Sequence, residues 1–229
     1  MPRVDLPGHH AAPRRREPTA PTPPPAPAAP ASRPAGTLTF VTGNAGKAAE
    51  MAALLAPLGL QVVADGRGYP ELQAGTLAEV TEAGARHLLA TGLKPPFILE
   101  DSGLFVAALR GFPGVYSRPT LDTIGVAGLL KLLRDVELET RTAAFQADLA
   151  YVDAAGAIHH FAGLCPGRIA ERAAGGNGFG FDPVFVPAAH ARTFAEMAPA
   201  EKSALSHRGQ AAALLLRHLQ ATPGETASP

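Results

Sequence analysis

Residues 37–47 read Thr-Leu-Thr-Phe-Val-Thr-Gly-Asn-Ala-Gly-Lys, and this stretch decides the fold class. A short apolar run of strand length enters a turn bracketed by Gly43 and Gly46, and Lys47 opens an amphipathic segment. Strand, tight turn and helix together make the opening half of an α/β unit. Glycines at both ends of the turn let backbone N–H groups approach an anion closely. The helix that starts near Lys47 turns its positive dipole end to the same place, and the lysine adds a full charge. The segment is not a G-x-x-x-x-G-K-[ST] loop, because its glycine spacing is shorter and Ala48 stands where a Mg²⁺-holding hydroxyl would be. Any metal is therefore expected elsewhere in the chain. An ordinary βα turn with a solvated lysine would share this local pattern, so the rest of the chain has to decide.

Outward from this turn, Met51, Leu54, Leu55 and Leu58 form one apolar stripe on a helix expected over 47–58, which Gly59 stops. A strand over 60–64 and a helix over 76–91 follow. Residues 97–99 read as a short strand ending on Glu100-Asp101-Ser102-Gly103, with a separate strand over 104–109. A helix is expected over 122–135, with Asp122 as a candidate N-cap and Leu129, Leu130, Leu132 and Leu133 buried or half-buried. Strands over 142–153 and 157–165 flank a hairpin turn at Asp153-Ala154-Ala155-Gly156. A further strand at 184–186 precedes a last helix that starts near Ser206 and carries Leu214, Leu215 and Leu219. Helices alternating with strands, then a long hairpin, give an α/β fold with a mixed sheet.

Residues 1–36 hold 11 of the 23 prolines and almost nothing large and apolar, so they cannot offset the entropy of ordering. They are expected to be a disordered Pro/Ala/Arg-rich arm, with one compact domain over 37–221 and a flexible tail over 222–229. An Arg- and Ser-rich, acid-poor transit peptide is an alternative reading of the arm, but no continuous amphipathic helix pattern supports it. The arm carries five Arg against Asp5 and Glu17, a charge of +3, which leaves −3 for the remainder of a chain whose total is zero. A near-neutral balance argues against a duplex nucleic-acid partner. Nowhere do 18 apolar residues run together, so no membrane span is expected. The lone Cys165 can neither form an intrachain disulfide nor begin a cysteine zinc site, and it reads as a buried thiol. A cytoplasmic enzyme or binding domain fits this composition.

Four segments carry chemistry. Adjacent carboxylates at Glu100 and Asp101 repel unless a cation or donors neutralise them. A magnesium ion held by one or two carboxylates plus substrate phosphates is a common solution. On a regular strand the two side chains face opposite ways, so one reaches a metal directly, and Asp101 beside Ser102 is the candidate. Glu71, in a Tyr-Pro-Glu-Leu loop, is a second possible oxygen ligand. Residues 175–183, Gly-Gly-Asn-Gly-Phe-Gly-Phe-Asp-Pro, give backbone room for a flat ligand, a stacking face from Phe179 and Phe181, and an acceptor at Asp182. Finally, Lys202 and the Ser206-His207-Arg208 helix start collect donors, and cations are disfavoured at a helix N-terminus, which marks the site as a candidate for function. The eight histidines lack H-x-x-x-H spacing, and His159 and His160 on one strand must face opposite ways. An anion cradle, a carboxylate site, a stacking loop and a donor-rich helix start together describe a nucleotide site.

These motifs, in this order, resemble the inosine triphosphate pyrophosphatase family. The resemblance rests on Thr42 to Lys47, on Glu100-Asp101-Ser102-Gly103-Leu104, on Gly111-Phe112-Pro113-Gly114-Val115-Tyr116-Ser117, on residues 178–183, and on residues 201–209 from Glu201 to Gly209. It implies an elongated mixed sheet with flanking helices and two lobes around a central cleft. It implies a homodimer that hydrolyses ITP, dITP and XTP to the monophosphate and pyrophosphate with one Mg²⁺ per subunit. Carried over by position, Thr42, Gly43, Asn44, Ala45, Gly46 and Lys47 bind the triphosphate, and Asp101 is the metal ligand and catalytic acceptor with Glu71 beside it. Ser102, Phe179, Gly180, Phe181, Asp182, Lys202, His207 and Arg208 contact substrate.

Two departures stand out. Many relatives carry a lysine in the helix before the acidic motif, where this chain has Thr81 to His87 with Arg86 as the nearest cation. Phe181 replaces a usual Tyr or Trp. A pyrophosphatase for other modified nucleotides, or a nucleotide-binding regulator without catalysis, would share the same inventory.

Overall fold

The computed structural model describes residues 36–70 and 72–221. The arm up to residue 35, Glu71 and the tail over 222–229, each the subject of an expectation above, lie outside the described residues.

Six strands form one mixed sheet in the order β2-β1-β3-β4-β5-β6. The first strand, β1 (Thr37–Val41), lies parallel to both β2 (Gln61–Asp65) and β3 (Phe97–Val106). Then β4 (Thr142–Val152) pairs antiparallel with β3, β5 (Ile158–Ile169) antiparallel with β4 in a long hairpin, and short β6 (Phe185–Pro187) antiparallel with β5 at the edge. Helices α1 (Ala45–Leu55) and α2 (Leu77–Ala90) connect the parallel strands, α3 (Ser117–Thr123) and α4 (Gly125–Leu132) follow β3, and α5 (Pro199–Leu205) with α6 (His207–Ala221) ends the fold. The α/β class with a mixed sheet is thus observed.

Local chemistry explains where elements begin. Asn44 caps α1 by accepting from the Lys47 N–H at 3.1 Å, so the helix starts two residues before the lysine that was expected to open it. Thr76 and Glu79 form a reciprocal capping box on α2. Two expectations fail for identifiable reasons. Gly103 does not break β3. A side chain there would collide with the Gly114 carbonyl, so the glycine serves close backbone approach within one continuous ten-residue strand. The helix expected over 122–135 is split at Gly125, whose φ of 63° lies in the left-handed region. Asp122 pairs with Arg118 at 2.7 Å instead of capping, and Leu132 is exposed.

The core has three parts. Leu38, Phe40, Met51, Leu149 and Leu215 pack between the sheet and α1 with α6. Val41, Leu88, Leu99 and Val152 pack under α2 on the opposite face. Leu104, Val106, Leu129, Phe145, Phe185 and Phe194 form the third part, at the far end of the long strands. Residues 100–103 of β3 bridge the first two parts to the third, and the cleft opens beside them.

Candidate active site

The cleft is a cavity of about 460 Å³, within the range of small-molecule sites. It is lined by the turn after β1 (Thr42, Gly43, Asn44, with Lys47), the middle of β3 (residues 100–103), residues 179–182, and Lys202, His207 and Arg208. The segments singled out in the sequence therefore converge. Ala45 and Gly46 are outside the lining. Gly46 instead lies against Phe179, and a β-carbon there would stand 2.8 Å from the Phe179 ring. Phe181 is buried in the far core as well as touching the cavity.

Alternation along β3 separates the acid pair as expected. Glu100 and Ser102 share one face, where both accept from Arg208: Nε to Glu100 at 2.7 Å, Nη2 to Glu100 at 3.1 Å, and Nη2 to Ser102 at 3.3 Å. Asp101 points to the face covered by α2 and also lines the cavity. Burial alone would push the Glu100 carboxyl up, but the charges of Arg208 and Lys47 hold it down to about 2. Lys47 Nζ lies 3.8 Å from its Oε1 and donates to its backbone carbonyl at 3.2 Å. Glu100 is thus a structural anion that fixes two cations, and its oxygens are committed.

One partner was missed. Glu50, in α1, pairs with both Arg208 and Lys202, and Lys202 also meets Asp182 at 2.8 Å. A lone acid on an otherwise apolar helix, three residues after Lys47, was the only signal in the sequence. Asp182 further accepts from the Phe179 N–H at 2.8 Å, which folds the glycine-rich loop over the cavity. The Phe179 ring has Lys202 Nζ at 4.7 Å from its centroid and the Arg208 guanidinium at 5.6 Å. Lys202, Arg208 and Phe179 are therefore one assembly, held by three carboxylates.

His207 opens α6 and stacks on Phe145 with ring centroids 4.8 Å apart. Burial and the nearby Arg208 charge hold it well below 6.5, so the ring is neutral. Its Nδ1 is buried and has no hydrogen-bond partner among the described residues.

Arg86 is exposed and paired with Glu82 on its own helix, outside the cavity, so it does not bring its charge to the site. Among the described residues no three His, Cys, Asp or Glu side chains form a metal cage. A magnesium ion completed by substrate phosphates needs only one or two carboxylates, and Asp101 on the cavity wall fits that requirement.

The Ham1 family model matches residues 38–218. A curated Thermococcus kodakarensis protein named dITP/XTP pyrophosphatase is 50% identical over 174 residues, covering 76% of this chain and 92% of that protein. A Pyrococcus horikoshii protein of the same name is 44% identical over 173 residues, covering 75% and 90%. Among solved structures, a HAM1 protein from Coxiella burnetii superposes with a TM-score of 0.71 at 32% identity, covering 81% of this chain and 98% of the other. A nucleoside-triphosphatase described as a dITP/XTP pyrophosphatase from Mycobacterium abscessus gives 0.61 at 35% identity, covering 80% and 99%.

Proposed function

The chain belongs to the Ham1 family, and on that premise we propose that it hydrolyses deaminated purine nucleoside triphosphates, dITP, XTP and ITP, to the monophosphate and pyrophosphate. The observation that carries this reading is the convergence of the Thr42–Lys47 turn, Asp101 and the Phe179–Arg208 assembly on one cavity.

Each group has a task that follows from its surroundings. The turn after β1, the α1 N-terminus and Lys47 receive the phosphates. Phe179 offers its ring to the base, and the cations beside it keep it in place. Asp101, with Glu71, would hold Mg²⁺, which when bound screens phosphate charge and draws the reacting phosphate and water together. Asp101 is the catalytic residue, since Glu100 is committed to Arg208 and Lys47 and cannot take a proton near neutral pH. As a carboxylate it is a weak base, so orienting the attacking water matters more than proton affinity. Lys47 and Lys202 offset charge on the departing pyrophosphate.

Base choice rests on His207. A neutral ring whose buried Nδ1 lacks a partner keeps its proton on Nε2, because an orphaned N–H is costlier than an orphaned acceptor. An Nε2–H donor suits the 6-oxo group of hypoxanthine or xanthine and opposes the amino group of adenine. His207 rather than Arg208 is the base-selecting donor, because the Arg208 nitrogens already donate to Glu100, Glu50 and Ser102.

The remaining expectations stay within the proposal. The homodimer that the family resemblance implies is a proposal, tested by the oligomeric state in solution. No described helix is long and apolar enough to cross a membrane. A cytoplasmic location is proposed from the free nucleoside triphosphates that the reaction would take. The experiment is pyrophosphate release from dITP and dATP with Mg²⁺, together with dITP binding by Asp101→Asn. Turnover of dITP far above dATP, and a folded Asp101→Asn that binds without turnover, are expected. Equal rates on the two nucleotides refute the selectivity, and near-normal kcat in the variant refutes the role of Asp101.

A further inference from the structure

Behind Asp101, outside the cavity, lies a second cluster of charge. The β3–β4 register sets Asp101 directly opposite Asp148, so both carboxylates leave the sheet on the α2 face. Asp148 is buried, and like charges directly opposite on neighbouring strands destabilise a sheet. Asp148 is compensated from two elements. Thr81 of α2 donates its hydroxyl to Asp148 Oδ2, and His160 of β5 brings Nδ1 to the same oxygen at 2.8 Å. The other ring nitrogen, Nε2, lies 3.0 Å from Glu82 of α2. Both nitrogens of one imidazole face carboxylates, and only the doubly protonated ring donates to both.

We propose that His160 is a positioning residue for the reaction. As an imidazolium clamped between Asp148 and Glu82, it neutralises the carboxylate opposite Asp101 and turns it away from the cleft, so that Asp101 alone presents its charge to metal and water. The inference rests on the reading of Asp101 given above. It also accounts for the missing helix lysine. In this chain α2 contributes Thr81 and Glu82, and the positive charge arrives from β5. Arg86 does not compete for the role, since it is exposed and paired with Glu82.

The energetics agree with the geometry. Partial burial would push the His160 ring down, but its hydrogen bonds to Glu82 and Asp148 raise it above 6.5. The charged groups that face it are Asp148 from β4 and Glu82, with its partner Arg86, from α2. Its neighbour His159 points to the opposite face, where it meets Asp153 and His218.

The test compares the wild-type chain with His160→Gln and His160→Lys by dITP turnover, and follows the His160 ring by NMR titration with and without Mg²⁺, no nucleotide present. His160→Gln should lower kcat roughly tenfold, the size of effect seen when partners behind metal ligands are removed, while KM for dITP moves less than twofold. His160→Lys should recover most of that loss. Adding Asp148→Asn to His160→Gln should also restore kcat, because the charge needing compensation is gone. Mg²⁺ alone should lower the His160 titration midpoint, since a cation at Asp101 disfavours a second positive charge nearby. The proposal is overturned if Gln and Lys are equally impaired, if Gln is unimpaired, or if Mg²⁺ leaves the midpoint unmoved. A wild-type chain that releases no pyrophosphate from dITP would instead sink the functional reading, and the titration, which needs no turnover, still decides the coupling.

Discussion

Arg208, in the first turn of α6, lays its guanidinium on Glu100 in the middle of β3, 108 residues earlier in the chain, with Nε 2.7 Å from Oε2. Both side chains are fully buried. A buried pair of this kind is weak evidence for net stability, because desolvation offsets most of the attraction. Its value is in location: it pins the helix that carries His207 to the strand that carries Asp101.

The pair makes a stability prediction with a definite sign. The Glu100 carboxyl is depressed from 4.5 to about 2 in the folded chain. The unfolded chain therefore binds the proton first as pH falls. The stabilisation is complete above about pH 4.5 and disappears as pH falls through about 2. Glu100→Gln leaves the buried Arg208 with Glu50 as its remaining carboxylate partner, which costs about 3 kcal/mol and lowers Tm at pH 7 by roughly 10 °C. Thermal unfolding between pH 7 and pH 3 checks both parts. The wild type should lose its advantage over the variant in the acid range, and parallel curves would show that Glu100 is not ionised in the folded state.

A second prediction separates binding from folding. Gly46 sits in the first turn of α1, where alanine is the better helix former, yet its β-carbon would press on the Phe179 ring at 2.8 Å. Gly46→Ala should leave Tm within about 2 °C of wild type, because helix propensity offsets the crowding. It should raise KM for dITP at least threefold by tilting the stacking ring, with a smaller effect on kcat. Steady-state kinetics beside a melting curve measure this, and an unchanged KM would mean that Phe179 does not carry the base.

How much of this was legible in sequence depends on the range of the interaction. The β1 turn and the alternation of Glu100 and Asp101 are local, and both followed from residue type and spacing, whereas the Asn44 cap that starts α1 two residues before Lys47 was not read. Gly103 and Gly163 were opaque because their reasons are distant. Gly103 makes room for the Gly114 carbonyl, and a side chain at Gly163 would strike the His207 carbonyl where α6 crosses β5. A glycine in a strand looks like a break until the crossing backbone is visible. Glu50 was missed for the same reason, since its partners lie 152 and 158 residues away. The charge that replaces the helix lysine was sought on the helix, whereas it comes from His160, which touches Glu82 from 78 residues along the chain.

The last prediction concerns His207. Burial and the Arg208 charge hold its ring well below 6.5, so the neutral form persists as pH falls from 8 to 6, and the donor on Nε2 is unchanged across that range. The ratio of kcat/KM for dITP to that for dATP should therefore be flat from pH 6 to 8. His207→Ala should reduce that ratio at least tenfold, chiefly through lost dITP turnover, since a site built to hydrogen-bond one substrate group rejects the analogue that lacks it. Competition assays on mixed nucleotides at several pH values give both numbers. A ratio that falls steeply below pH 7 in the wild type would show a titrating ring. A ratio that survives the substitution would move the discrimination to another donor on the cavity wall.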